Sequence, residues 1–336
     1  MSTDPTTFST AHLQFFFQSK RAGFDAHLVA RLVDFVDQTR NTLDCAIYDL
    51  RQPDVLAALR RVARGGKQLR IAYHGAQAST AQALKNYGLL SHSFAVHPVG
   101  SHLMHHKFVV RDGDALWNGS ANFTGGGLEL QDNNCLIARS ASLARQYSAE
   151  FAKLTSPQSF FLPPAASKPV VVDGVKLTPQ FTTTAAVEGL EDTIVNALGG
   201  ATRVRVLAFL ISDPGILGAL TAFKQPGFDV RGVLDPNGMK DALHGKTPDP
   251  VLYWFLKDKR FRKAPSHAFD PAPGAEQDFM HNKVMIVGDR LVITGSYNFS
   301  ENAEANDENL LLVESAQVAA AYNRYFDAVY AVPGNK

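Results

Sequence analysis

The chain has 336 residues, a length that at ~100–200 residues per domain suggests two domains or one large α/β unit. Hydrophobic residues make up 45% and charged residues 19%, values that exclude disordered and collagen-like classes. Lys and Arg number 33 against 32 Asp and Glu, a formal net charge of +1, so any recognition of an anion has to be local.

Residues 1–7 lack the basic and apolar regions of a secretory signal, and no stretch approaches the ~20 apolar residues of a membrane span, so a soluble, cytoplasmic protein is expected. Residues 43–50 predict a strand, 53–64 an amphipathic helix ended by Gly65 and Gly66, and 68–73 the next strand. Cys45 and Cys135 are too few and too far apart for a disulfide framework or a zinc knuckle, and read as buried strand thiols. Residues 155–179 carry Pro157, Pro163, Pro164, Pro169 and Pro179, which predicts a linker and a boundary near 165, giving halves 1–165 and 166–336.

The second half repeats the first: a strand at 203–211, a helix at 214–223, a break at Pro226 and Gly227, and a strand at 228–234. Strands alternating with helices imply parallel pairing and an α/β sandwich. Residues 257–263 form the single dense basic run, read either as a solvated helix end or as a phosphate-contacting rim through Arg260, Arg262 and Lys263. The apolar segments 159–162 and 253–256 are explained by core burial better than by membrane contact.

Near the end of each half lies the same pattern. The first is His105, Lys107 and Asp112, then Gly119, Ser120 and Asn122; the second is His281, Lys283 and Asp289, then Gly295, Ser296 and Asn298. Two residues separate each His from its Lys, and twelve separate each Lys from its Gly. On a strand, residues two apart project to one face, so each imidazole and its ammonium point together. The glycine allows close backbone approach, and the Ser and Asn that follow supply neutral donors.

Two such sets facing each other suit displacement at a phosphodiester. One imidazole attacks phosphorus, the second protonates the leaving oxygen, and the lysines and asparagines neutralise charge on the phosphoryl oxygens. No metal or cofactor is called for, because an ammonium beside each imidazole repels a cation. His102, His106 and His267 read as hydrogen-bonded or solvated side chains.

The duplicated His-x-Lys motif with its downstream Gly-Ser-x-Asn resembles the phospholipase D superfamily over nearly the whole chain, including residues 13–17 as an opening strand and 48–73 as a strand-helix-strand run. The resemblance implies two similar α/β/α halves related by a pseudo-twofold axis, one shared active site, a phosphohistidine intermediate and no cofactor. It makes His105 the nucleophile and His281 the general acid, with Lys107, Lys283, Asn122 and Asn298 on the phosphate and Ser120 and Ser296 assisting.

The second motif departs from the pattern, since Gly288 stands where Asp112 predicts an acid and Asp289 follows one residue later. Similar enzymes orient the catalytic imidazole with a downstream carboxylate, a role that Glu308 fits. In the first half, spacing from the histidine gives Asp132, whereas the local pattern gives Asn133. Residues 295–300 and 306–309 resemble the superfamily's bacterial nucleases, so a nuclease acting on DNA or RNA is expected. A phospholipase or phosphatidyltransferase is the alternative, and a silent binding module a third reading. A monomer with no obligate protein partner is expected, because one chain holds both motifs.

Overall fold

The computed structural model describes residues 4–156, 167–182, 189–267 and 277–333. In the first half the strands are β1 (Thr7–Ser9), β2 (Leu13–Gln18), β3 (Thr42–Ile47), β4 (Gln68–His74), β5 (Ser93–Val96), β6 (Lys107–Arg111), β7 (Ala115–Gly119) and β8 (Asn133–Arg139). Its helices are α1 (Leu28–Asp37), α2 (Pro53–Arg64), α3 (Ala78–Asn86) and α4 (Ala141–Leu154). The second half supplies strands β9 (Val170–Val172), β10 (Val175–Phe181), β11 (Arg203–Ala208), β12 (Asp229–Leu234), β13 (Phe261–Lys263), β14 (Lys283–Val287), β15 (Leu291–Gly295) and β16 (Asn309–Glu314). With them run helices α5 (Leu190–Leu198), α6 (Pro214–Thr221), α7 (Pro236–Ala242), α8 (Glu301–Ala305) and α9 (Ala316–Tyr330).

One sheet has the order β1-β2-β8-β7-β6-β3-β4-β5 and the other β9-β10-β16-β15-β14-β11-β12-β13, so adding eight to each strand number turns the first into the second. Each sheet is mixed: β3, β4 and β5 are parallel and joined through helices, as are β11, β12 and β13, while β6 and β14 run antiparallel to β3 and β11. Helices α4 and α9 lie between the two sheets in a core drawn from both halves. Phe17 packs edge-on to Tyr322 at 4.8 Å, and Tyr147 edge-on to Phe181 at 5.0 Å. Separate cores under α1 and α2, and under α5 and α6, cover the outer faces and complete a five-layer sandwich.

The predicted strands and helices at 43–73 and 203–234 are present, the first helix at its predicted limits. Both cysteines are buried on strands. The predicted boundary near 165 and the apolar segment 159–162 fall outside the described residues.

The predicted linker is corrected at its C-terminal end, because β9 and β10 occupy much of 167–181 and Pro179 sits inside β10, opposite Leu311 of β16. Proline is tolerated there because β9 pairs only as far as Leu177. The missing N–H of Pro179 thus faces the side its carbonyl also faces, where Ser167 Oγ donates to that carbonyl at 2.5 Å.

Candidate active site

Lys107 opens β6 and Lys283 opens β14, so each histidine lies two residues before its sheet, at the junction of the halves. His105 N donates to the carbonyl of Asp307 at 2.9 Å, and His281 N to that of Asp132 at 3.0 Å. Each motif is therefore seated on backbone from the opposite half. The side chains repeat this exchange. His105 Nδ1 lies 2.7 Å from Glu308 Oε1, and His281 Nδ1 lies 3.1 Å from Asn133 Oδ1.

Serines hold both orienting groups, Ser296 Oγ donating to Glu308 Oε2 at 2.6 Å and Ser120 Oγ to Asn133 Oδ1 at 2.7 Å. Asn133 Nδ2 donates to Gly127 O at 2.8 Å, which fixes its amide with the oxygen towards His281. This network assigns the ring proton to Nδ1 in both histidines and leaves each Nε2 as a bare lone pair. The glycines preceding the serines make this packing possible. A Cβ on Gly119 would stand 2.4 Å from Asn134 O, and one on Gly295 2.4 Å from Asn309 O.

All four cationic groups are buried and act on one another. Burial holds His105 well below the usual imidazole value, reinforced by Lys107 and Lys283, and it holds His281 down likewise, reinforced by Lys283 and Lys107. Burial lowers Lys107 to about 7, opposed by Glu308 and Asp49, and pushes Lys283 well below the usual amine value with Lys107 adding to the effect. Glu308 is pushed up to about 7 by burial, against the pull of Lys107. Each lysine donates to the carbonyl of its own histidine, at 2.6 Å for Lys107 and 2.7 Å for Lys283.

Burial and mutual repulsion thus disfavour the protonated forms of these groups in the resting site. An anion entering it raises these depressed values and draws protons in. Binding of tungstate or vanadate is expected to take up protons and to tighten as pH falls from 8 to 6, the direction set by groups whose pKa rises on complexation. Calorimetry in buffers of differing ionisation enthalpy would measure this, and proton release would contradict it.

The family model described as "Cardiolipin synthase, PLD-like domain" matches residues 32–155 and 192–330, one block on each motif. The chain belongs to the phospholipase D-like family. The phospholipase D-like chain is 29% identical to the phospholipase D of Rickettsia typhi over 174 residues, covering 51% of this chain and 78% of that one. It is 32% identical to the Rickettsia bellii phospholipase D over 34% of this chain and 50% of that one, and 29% identical to the mitochondrial cardiolipin hydrolase of Danio rerio over 37% and 56%. The match thus spans about half the length of several curated relatives. In fold it is similar to the phosphatidylserine synthase of Haemophilus influenzae, with a TM-score of 0.71 at 12% identity over 97% of this chain and 88% of that one.

Within this phospholipase D-like site several sequence expectations need correction. The Asp132 side chain does not orient the His281 ring; its buried carboxylate pairs with Arg21 at 3.1 Å, and burial pushes it up to about 6. Asn133 takes the orienting place because the first half carries one more residue than the second between the motif serine and the orienting residue, Ser120 to Asn133 against Ser296 to Glu308. That residue is absorbed in a π-helical turn at Gly126–Leu130, where the second half has α8. Ser120 and Ser296 are fully buried and donate to Asn133 and Glu308, so in this structure they position the orienting groups. Asn122 and Asn298 lie half-buried beside them, each with a buried Oδ1 that has no hydrogen-bond partner among the described residues.

The motif acids lie at the far ends of their strands. Asp112, at φ 52°, accepts backbone N–H groups of Arg40, Asn41 and Thr42 at 3.0, 2.7 and 3.0 Å. Gly288 takes the same left-handed position at φ 60°, so Asp289 is turned outward to Arg203 and that clasp is absent from the second half. Burial works against ionisation of Asp112, but the three N–H groups and Arg40 outweigh it and hold its carboxyl below the usual range. Its contribution is present above the unfolded carboxylate value and is lost as pH falls through the depressed folded one. Asp112→Asn is expected to lower stability by about 1–3 kcal/mol with turnover retained, as read by urea unfolding beside an activity assay.

The basic run is not a phosphate rim in its arginines. Arg260 is bidentate to Asp258 at 3.0 and 2.9 Å and stacks on Trp254, while Arg262 donates to Tyr330 O and lies 3.9 Å over that ring. Lys263 is exposed at the end of edge strand β13. His106 is buried between Asn309 and Glu150, and His267 bonds Asp278.

Two residues escaped the sequence reading. Tyr48 follows β3 and Phe209 follows β11, in matching positions of the repeat, and each stands edge-on to its histidine at 5.0 and 5.7 Å. The same rings lie 5.4 Å from Lys107 and 5.8 Å from Lys283. An aromatic immediately after the equivalent strand in both halves was the available signal. The walls differ in chemistry: Tyr48 stacks on His74 at 5.3 Å, whereas Phe209 meets Phe279 at 6.2 Å.

Proposed function

We propose that this phospholipase D-like chain cleaves a phosphodiester through a phosphohistidine on His105. The observation that carries this is the unequal pairing of the two imidazoles, with the Glu308 carboxylate on His105 and the neutral Asn133 amide on His281. In the first step His105 Nε2 bonds to phosphorus and the bond to the departing oxygen breaks, that oxygen taking a proton which His281 gained when the anion bound. The His105 ring becomes cationic, and only a carboxylate partner can offset that charge. In the second step His281 Nε2 takes a proton from water as its oxygen attacks phosphorus, and the bond from phosphorus to His105 breaks. Lys107, Lys283, Asn122 and Asn298 hold the non-bridging oxygens.

For substrate class we favour phospholipid. The curated relatives named above are phospholipases and cardiolipin hydrolases, and the wall beside His281 is aromatic and apolar. A nuclease is the second reading, supported by the resemblance of 295–300 and 306–309 to nuclease members, although the arginines that added to it are engaged internally. No helix among the described residues is long and apolar enough to cross a membrane; a cytoplasmic enzyme working at a membrane surface is part of this proposal.

The test is a panel of phosphatidylglycerol and phosphatidylcholine vesicles, single-stranded and duplex DNA, and RNA, run in EDTA. Release of a lipid product with nucleic acid untouched is expected. Nucleic acid cleavage without lipid turnover reverses the substrate assignment. Activity is expected to survive chelation, since the charges on the phosphate come from lysines, and loss restored by Mg²⁺ or Zn²⁺ would overturn that.

A further inference from the structure

Two neighbouring cavities open on the second half, neither lined by His105 or His281. One, of about 280 Å³, is walled by Met239, Leu243, Phe255, Leu256 and Phe261, with Lys240 and Lys263 at its rim. The other, of about 330 Å³, shares Leu256 and adds Tyr253 and Trp254, with Lys224 and Lys257 at its rim. All four lysines are exposed, and none has an ion-pair partner among the described residues. The carboxylates in the two walls are both occupied. Asp258 is bidentate to Arg260, and Asp235 accepts Asn237 N and Gly238 N on one oxygen, Ser266 Oγ and Met280 N on the other. Four lysines without an ion-pair partner among the described residues, against the one unpaired wall carboxylate of Asp235, therefore ring an apolar double cavity, in a protein whose net charge is only +1.

This arrangement has a specific complement. A nucleobase would require hydrogen-bond acceptors and donors on its edges, and besides the occupied carboxylates and Arg262, which Tyr330 engages, the walls offer only the Tyr253 hydroxyl and the Trp254 N–H among aliphatic and aromatic side chains. A hydrocarbon chain requires none, and its anionic headgroup would remain at the lysine rim, with the lysine stems lying along the apolar wall. The surface also adjoins the chemistry, since Asp235 holds the backbone N–H of Met280, the residue before His281. We propose that this double cavity and its lysine rim form a docking surface for an anionic lipid bilayer, admitting one acyl chain beside Leu256. The phospholipid reading gives this surface its purpose, but binding is measured without turnover.

The full chain is mixed with vesicles of phosphatidylcholine alone or with phosphatidylglycerol added, and bound protein is separated by flotation. Binding is expected only with the anionic lipid, weakening with salt. Lys240→Gln with Lys263→Gln is expected to reduce it roughly 25-fold, about fivefold for each lysine near the surface. Lipids brominated along the acyl chain are expected to quench Trp254 and to lose that effect in Trp254→Phe, since Trp117 is fully buried elsewhere.

Absence of binding, binding indifferent to the lysines, or binding without quenching overturns the proposal. So does a lysine-dependent preference for DNA over vesicles, which would assign the surface to nucleic acid. Intact docking with no lipid turnover would count against the phospholipase reading alone, and turnover without docking against this inference alone.

Discussion

Replacing His105 or His281 by alanine is expected to lower kcat by about 10³-fold or more, and the double variant is expected to be little worse than either single one. The non-additivity follows from the geometry. Each imidazole is oriented by a group from the opposite half, Glu308 or Asn133, so the two rings form one unit and neither half holds a complete site. Attack without protonation of the departing oxygen stalls, as does protonation without attack. Denaturing the enzyme with detergent at alkaline pH during turnover, where an N–P bond survives, should leave the phosphoryl group on His105 and none on His281. Phosphate on His281, or two substitutions whose effects multiply, would contradict the assignment.

Such a unit is legible in sequence to the extent that it depends on repeated local geometry. The His-to-Lys spacing of two residues sends both groups to one side where the chain runs into β6 or β14, and the repeat of that spacing brings two such sides to one junction. What decides the partners of the rings is different in kind. Glu308 and Asn133 are chosen by the register between strands distant in sequence, and one extra residue in the π-helical turn at Gly126–Leu130 shifts counting from the histidine onto Asp132. A local bulge of this sort leaves no periodic trace. The arginines of the basic run illustrate the same limit. Arg260 and Arg262 read as free charge along the chain, yet Asp258, Trp254 and Tyr330 claim them through tertiary contacts. Pro179 likewise breaks a strand prediction locally, and only the short reach of β9 makes its place in β10 permissible.

The partner of His105 sets the second large effect. Glu308→Gln is expected to lower kcat by about 10²–10⁴-fold with KM little changed, because a neutral amide can hold the Nδ1–H tautomer but cannot offset a cationic ring. Tautomer and charge are separable here. The Glu308 carboxylate receives Ser296 Oγ on Oε2, and Asn306 Nδ2 lies 3.4 Å from Oε1, so a glutamine can keep its oxygen towards His105 and turn its NH₂ to the serine hydroxyl. Asn133→Ala, which removes only an orienting amide from a ring that works by gaining and giving a proton, is expected to cost about tenfold. Exchanging the two partners carries the argument to its end. In Glu308→Gln combined with Asn133→Asp the carboxylate among the two Nδ1 partners stands beside His281, and the trapped phosphoryl group is expected to appear there, with partial recovery over Glu308→Gln alone. If the exchanged enzyme still traps phosphate on His105, the carboxylate does not choose the nucleophile, and the two imidazoles differ for a reason lying outside their Nδ1 partners.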